Sequence, residues 1–439
     1  MTGTVGPDPS GMPRISRLGA NTLALRTLSY ALGAVGSVLI ARALGPAGRG
    51  RYYLPVTVAT VAYYLGSLGV ERAQLRLWSR READPEELVT SGAFLAAGLG
   101  ALAVTVTWLV YALARSSLLP GVKGLELAIA VATVPLQIHA LLVTGVLIAA
   151  AKLALVNRAA LLAAVAQTAG LAALFAIGQL TVVSVLLLYG VSVTVPWIVM
   201  LCGLRAIGRI RLPVPWSLMG RQVRLGFQQT PYIVGNFLNL RIDIFLVARF
   251  AGVAGVGLYS VAVALVELVW LVTDSVVASV AERQANGEEA EAVDVTLRAM
   301  RMCLLLSVGT AALLGLVAPL MVPLVYGDRF GPAARVVWSL VPAVATMALW
   351  RAAAPLVTRF AHPGFQSAVA TAAVVLNVAA NVVLLPELGL VGAGVASSLS
   401  YGLGAVVVGA WLVARYSIPL ADFLPGPAEV RQLREVRIR

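Results

Sequence analysis

Stretches of about twenty apolar residues recur from one end of the sequence to the other, each long enough to cross a hydrocarbon core ~30 Å thick. At that depth no water is present to satisfy a backbone N–H or C=O, so each spanning segment must bond to itself as a helix. The stretches are rich in Leu, Ala, Val and Gly and lack the sustained alternation of a membrane β-barrel strand. Charged residues make up only 12% of the chain, where a soluble domain carries roughly 25%. The sequence therefore predicts an all-α polytopic membrane protein with about 12 transmembrane helices, over residues 22–43, 52–70, 90–113, 127–150, 156–177, 181–204, 228–250, 255–276, 301–324, 336–357, 367–385 and 390–414.

The formal net charge is +13. The basic residues are scattered over short loops between apolar segments, so the charge is read as a topological signal rather than as a nucleic-acid footprint, and no nucleic-acid partner is expected. With the N-terminus placed inside, 22 of the 33 Lys and Arg residues fall on inner segments and 8 on outer ones, with Arg26, Arg241 and Arg351 inside helices. This asymmetry predicts a bacterial cytoplasmic-membrane protein with both termini cytoplasmic and an even helix count. The basic tail after Pro427 is expected to rest on anionic lipid of the phospholipid bilayer. The first 13 residues, with Pro7, Pro9 and Pro13, read as disordered and carry no signal-peptide pattern. Cys202 and Cys303 both lie in apolar stretches and form neither a disulfide framework nor a metal-ligand spacing. There is no GxxxxGK[ST] loop and no nucleophile with a plausible base. The chain is thus expected to be neither an ATP-driven pump nor an enzyme, with no catalytic residue, resident metal or cofactor beyond a coupling H⁺ or Na⁺.

An internal repeat divides the chain. At an offset of 207 residues, Ala41, Arg42, Gly45, Ala47, Gly48, Gly50 and Tyr52 meet Ala248, Arg249, Gly252, Ala254, Gly255, Gly257 and Tyr259, seven identities within 12 positions. Six helices per half return the chain to the same side, so the halves must be parallel repeats about an axis along the membrane normal. The expected organisation is a disordered cytoplasmic N-terminus (1–21), an N-lobe of helices 1–6 (22–204), a cytoplasmic linker with Pro213 and Pro215 (205–227), a C-lobe of helices 7–12 (228–414) and a basic cytoplasmic tail (415–439). Two similar lobes around a central site suit alternating access.

Charge at mid-bilayer depth costs roughly 2.5–3.5 kcal/mol even on the lenient insertion scale, so such residues are functional or paired. Arg241 and Asp243 lie near the middle of helix 7, Glu267 at similar depth in helix 8, Asp274 nearer the cytoplasm, Arg351 inside helix 10 and Arg26 one turn into helix 1. Tyr232, Asn236, Asn239 and Asp243 form one polar stripe by helical spacing. Arg241, two residues from Asp243, points nearly the opposite way unless the helix is broken. Ser260, Glu267 and Asp274 recur every seven residues on one face of helix 8, and Asn377 and Asn381 are an i, i+4 pair in helix 11. These stripes are expected to line a water-filled cavity or to couple transport to an ion; interhelical hydrogen bonding is the other reading, chiefly for Asn377 and Asn381. At the repeat offset, Arg241, Asp243, Glu267 and Asp274 correspond to Ala34, Gly36, Thr60 and Ser67, so the second half carries most of the specialised chemistry.

The stretches ARALGPAGRGRYYLPVT (41–57), LRIDIFLVARFAGVAGVGLYSVAVALVELVW (240–270), YGDRFGPAARVVWSLVPA (326–343) and LPELGLVGAGVASSLSYG (385–402) resemble, in order and spacing, the polysaccharide (O-antigen/exopolysaccharide) flippases of the multidrug/oligosaccharidyl-lipid/polysaccharide (MOP) exporter superfamily. The resemblance covers nearly the whole chain. It implies two six-helix lobes around a central cavity and, as substrate, a lipid-linked glycan on an isoprenoid pyrophosphate carrier, with a polysaccharide polymerase and glycosyltransferases as partners. In such flippases cationic cavity residues hold the pyrophosphate, a role that Arg241, Arg351 and Arg26 could take here because guanidinium matches phosphate oxygens. A cation-coupled multidrug exporter of the same superfamily, a peptidoglycan-precursor flippase and a non-transporting scaffold for glycan synthesis are the alternatives.

Overall fold

The computed structural model describes residues 17–427 except 229 and 363, together with residue 429; for residues 17–23 and 230–233 it describes the backbone alone. Fourteen α-helices follow one another among these residues: α1 (Arg17–Gly66), α2 (Val70–Ser79), α3 (Pro85–Leu118), α4 (Gly124–Val131), α5 (Val134–Ala149), α6 (Leu153–Ala176), α7 (Val182–Leu204), α8 (Trp216–Phe227), α9 (Thr230–Asn239), α10 (Ile242–Asn286), α11 (Glu289–Tyr326), α12 (Ala333–Phe360), α13 (Phe365–Leu388) and α14 (Leu390–Tyr416). Among the described residues, ten spans are long and apolar enough to cross a membrane. Two of them, Ala24–Gly66 with 43 residues and Val234–Asn286 with 53, are about twice the ~20 residues that one crossing needs. Each turns sharply at a single glycine and so crosses twice, which brings the crossings to twelve.

Those two turns are the repeat made visible. Gly45 has φ 64° and ψ −175°, and Gly252 has φ 66° and ψ −177°. A side chain at positive φ would be strained, so both positions call for glycine. Helices 1 and 2, and 7 and 8, are therefore not joined by loops as the sequence suggested; each pair is one helix folded over at its glycine. Close by, the two halves touch main chain to main chain. A Cβ added to Gly50 would fall 1.7 Å from the carbonyl oxygen of Val253, and one added to Gly257 would fall 1.9 Å from that of Pro46. Both members of one contact lie 207 positions from those of the other, so the contact is reciprocal. Small residues let helices approach this closely where lipid offers no hydrophobic drive to associate.

Helices α1–α7 pack mainly among themselves, α9–α14 do likewise, and α1 against α10 forms the principal seam between the two lobes. The linker is not featureless. Its helix α8 is docked on the N-lobe by a buried amide network: Gln222 Nε2 donates to Ser91 Oγ at 2.7 Å, and Gln74 Nε2 donates to Gln222 Oε1 at 3.2 Å. An ion pair from Arg221 to Glu82 and another from Arg211 to Glu86, the latter at 2.7 Å, flank it. Helix α1 begins at Arg17, five residues before the expected start.

In the C-lobe, α12 contains Pro342, which disturbs the local helical ladder. Ser398 of α14 bonds to the main chain beside it. The Ala343 N–H donates to Ser398 Oγ at 3.1 Å, and that hydroxyl donates onward to the Ser339 carbonyl at 2.8 Å. One side chain of α14 is thus bonded to both a donor and an acceptor of the α12 main chain beside Pro342.

Candidate functional site

The site is built along one face of α10. Ser260, Glu267 and Asp274 are seven residues apart, nearly two turns, which sets them about 10.5 Å apart on one line. Each meets an arginine from a different segment. Arg49, in the second arm of α1, donates from Nε to Ser260 Oγ at 2.8 Å and from Nη1 to the Ser37 carbonyl at 2.8 Å. Arg241, between α9 and α10, pairs through Nη1 with Glu267 Oε1 at 2.8 Å. Arg351 of α12 pairs through Nη2 with Asp274, at 2.9 Å from Oδ1 and 3.0 Å from Oδ2, and its guanidinium lies 5.4 Å over the Trp270 ring. Arg26 of the N-lobe is exposed and acts electrostatically on Asp274 across the seam.

Access along this ladder rises in one direction. Arg49 is 4% exposed, the Arg241 and Glu267 side chains are 22% and 31% exposed, and those of Arg351 and Asp274 are 39% and 46% exposed. The shut end is the end of the glycine turns, where Arg42 also donates to the carbonyls of Leu324 at 2.5 Å and Val325 at 2.8 Å in the last turn of α11.

Arg241 takes its place through a break that the sequence reading did not contain. Helix 7 was expected to run unbroken over 228–250, but α9 ends at Asn239 and α10 starts at Ile242. The intervening N–H groups of Leu240 and Arg241 bond back to Phe237 and Leu238 at 3.1 and 3.0 Å, and Arg241 has φ −135° and ψ −14°. This i→i−3 tightening shifts the helical phase. Arg241 and Asp243 can then both turn toward the second arm of α10, and the break interrupts the expected stripe between Asn239 and Asp243.

Several expected cavity residues are instead packed away. Asp243 is 2% exposed and accepts from Tyr259 Oη at 2.5 Å, the Ile244 N–H at 2.8 Å and Ser397 Oγ at 3.3 Å. Asn377 and Asn381 are fully buried; Asn381 Nδ2 donates to Asn377 Oδ1 at 2.8 Å, and Asn377 Nδ2 donates to Ser400 Oγ at 3.1 Å. They bind helices together, because an amide in hydrocarbon costs less when its partner is another side chain. Asn239 is also fully buried, yet both polar atoms of its amide lack a partner among the described residues, as does Asn381 Oδ1. Asn236 is half-buried, and the Tyr232 side chain lies outside the described residues. A crevice of about 20 Å³ opens between Asp243, Tyr259, Glu267, Trp270 and Tyr401, room for about one water molecule.

Arg49 was missed because residues 44–51 read as an outer loop. The structure carries α1 through them, so Arg49 projects from a helix toward α10. The heptad spacing of Ser260, Glu267 and Asp274 was in plain sight; their arginine partners, from three remote segments, were not.

A family model described as "Polysaccharide biosynthesis protein" matches residues 38–335. No curated protein matches the sequence. Among solved structures the chain is similar to the lipid II flippase MurJ in an inward closed conformation, with TM-score 0.73, 13% identity, and 92% of this chain and 88% of that one covered. It is similar to an inward-facing multidrug resistance MATE family transporter of the MOP superfamily, with TM-score 0.67, 15% identity and 91% and 98% covered. A third is a MOP superfamily transporter from Pyrococcus furiosus, with TM-score 0.63, 14% identity and 93% and 96% covered. The two-lobed fold of this chain is that of MOP transporters.

Proposed function

The chain belongs to the family of polysaccharide biosynthesis proteins, and from that premise we propose that it is a flippase for a glycan carried on an isoprenoid pyrophosphate, working by alternating access in a bacterial cytoplasmic membrane. The observation that carries this reading is the arginine ladder on α10, in which the Arg241–Glu267 and Arg351–Asp274 pairs stay partly accessible beside the lobe seam. An arriving diphosphate can displace each carboxylate from its arginine and take over its hydrogen bonds, since guanidinium binds phosphate oxygens as it binds carboxylate. Arg26 and Arg351 receive the head first, and Arg241 receives it one step deeper. The lipid tail stays in the bilayer while the lobes rock.

The excess of basic residues on alternate segments supports a cytoplasmic position for both termini. The shut end with Gly45 and Gly252 then faces outward, and the end with Asp274 and Arg351 faces the cytoplasm. Asp243, beside a crevice of about 20 Å³ and near the unpartnered Asn239 amide, is the group we assign to a coupling H⁺ or Na⁺. A polymerase and glycosyltransferases that make and use the glycan are the partners this function requires.

A cationic-drug exporter would need carboxylates free to meet cations, yet Glu267 and Asp274 are each paired to an arginine. The test is reconstitution of the purified protein in proteoliposomes with a fluorescent glycan-pyrophosphate-polyprenol. Transfer to the other leaflet by the wild type, lost in Arg241→Ala and Arg351→Ala, is expected. Wild-type rates in both variants, or transport of cationic dyes instead, would overturn the reading.

A further inference from the structure

A second cavity, separate from the charged ladder, lies at the lobe seam. It is a groove of about 420 Å³ with almost wholly apolar walls, set between the second arm of α1 and α3 on one side and the α9–α10 break on the other. Its one hydroxyl, on Thr107, is already spent on the Ala103 carbonyl at 2.7 Å. The groove extends from Leu68, at the far end of α1, to Leu119, just past the end of α3; residues 99–119 alone span about 30 Å of helix, the thickness of a hydrocarbon core.

The segment 238–245 is a shared wall. Leu238, Ile242 and Phe245 face the groove, while Leu240 and Asp243 face the crevice beside Glu267, and Arg241 sits among them on the ladder. A molecule with an anionic head and a hydrocarbon tail fits this pairing: guanidinium on one side of a single turn of chain, an apolar channel on the other. A soluble glycan or a drug cation would use only one of the two.

We propose that the groove receives the polyisoprenyl chain of the substrate and guides it from one leaflet to the other while the pyrophosphate follows the arginine ladder. This rests on the flippase reading and adds the tail's site to it. In a bilayer the surrounding tails are as apolar as Leu, so burial gives no net drive. The groove therefore contributes a path and a shape rather than affinity, and a branched, unsaturated chain is distinguished from straight acyl chains by how it fits the walls.

The test uses the full protein in nanodiscs with a polyprenyl pyrophosphate carrying a mid-chain diazirine, and a diazirine phosphatidylcholine as comparison. Photoadducts of the polyprenyl probe are expected in residues 99–119 and 238–245, competed by unlabelled polyprenyl pyrophosphate, with the phospholipid labelling them roughly tenfold less. Val106, which lines the groove and is 49% exposed, can take a larger side chain without disturbing the core. Val106→Trp is expected to cut both labelling and flipping by roughly tenfold, and Val106→Ala to keep both. Equal labelling by phospholipid, adducts confined to other helices, or wild-type flipping by Val106→Trp would overturn the groove. Adducts elsewhere with intact flipping leave the flippase reading standing. Groove adducts without transfer of any glycan lipid sink the flippase reading and keep the binding site.

Discussion

Arg241 and Glu267 meet at 2.8 Å across a break in the chain: the arginine stands in the turn between two helices, and the carboxylate sits well inside the next one. Neither is fully buried, so the pair is both a stabilising contact and an exchangeable one. Removing one partner leaves the other charge without compensation in a poorly hydrated place. Arg241→Ala is therefore expected to lower both thermal stability and flipping. The double variant Arg241→Ala/Glu267→Ala is expected to recover stability without recovering flipping. Arg241→Lys, which keeps the charge but loses the planar fork, is expected to fold normally and to flip roughly tenfold more slowly. Differential scanning fluorimetry beside the proteoliposome assay separates the two effects; a double variant that regains transport would count against a role in holding phosphate.

The closure at the glycine-turn end makes a second prediction. Gly50 and Gly257 each leave no room for a methyl group against the opposite lobe, and overpacking such a contact costs typically 1–3 kcal/mol. Gly50→Ala is expected to part the lobes there and expose Val256, which is 1% exposed. In a background without Cys202 and Cys303, a Val256→Cys reporter is expected to resist maleimide in the parent and to react in the Gly50→Ala variant. Gly409→Ala, where a Cβ would meet nothing within 4 Å, is the matched control and is expected to leave the reporter protected.

Ser398 gives a third. Replacing it with Ala removes both hydrogen bonds by which α14 holds the α12 main chain beside Pro342. A hydrogen bond contributes about 0.5–1.5 kcal/mol net, so the loss of two is expected to lower Tm clearly in Ser398→Ala. Ser275→Ala, whose exposed hydroxyl only returns to the Leu271 carbonyl of its own helix at 2.9 Å, is expected to change Tm little.

A fourth concerns the end of the chain. Glu429 is buried against Arg301, with Arg301 Nε at 2.7 Å and the Gly426 N–H at 2.9 Å from its carboxylate oxygens. Burial alone would raise its pKa, but those donors outweigh it and hold the carboxyl below its ordinary 4.5. A depressed folded pKa means that the contact contributes fully above about 4.5 and is lost as pH falls through the lower, folded value. Limited proteolysis after Tyr416 is expected to stay slow at neutral pH and to quicken only below the ordinary carboxylate range. Glu429→Gln is expected to be cleaved quickly at neutral pH, and an unchanged rate in that variant would show that the latch does not hold the segment.

How much could be read beforehand follows from what kind of interaction fixed each part. The crossings and the parallel halves were legible, because hydropathy and repeated residues are written locally; that Gly45 and Gly252 fold single helices over was not, since both fell in expected loops. The break at Leu240–Arg241 was not, since neither Gly nor Pro marks it and tertiary contacts overrode helix propensity. For Asn377 and Asn381 both readings stood open, cavity lining and interhelical bonding, because an i, i+4 amide pair is the same in sequence whether it faces water or Ser400. The pairing of Arg351 with Asp274 depends on two helices 77 positions apart in the chain, which no periodicity encodes.

The reciprocal glycine contacts describe what two separate six-helix molecules would do: meet through one self-complementary patch as an isologous two-fold homodimer. Such a dimer could add no arginine without adding its twin. Joined in tandem, the halves are freed from that bargain. Arg49 stands opposite Ser260, while the mirror positions of this contact hold Val256 and Tyr53. A one-sided row of guanidinium groups is a feature that only a chain free of that dyad can carry.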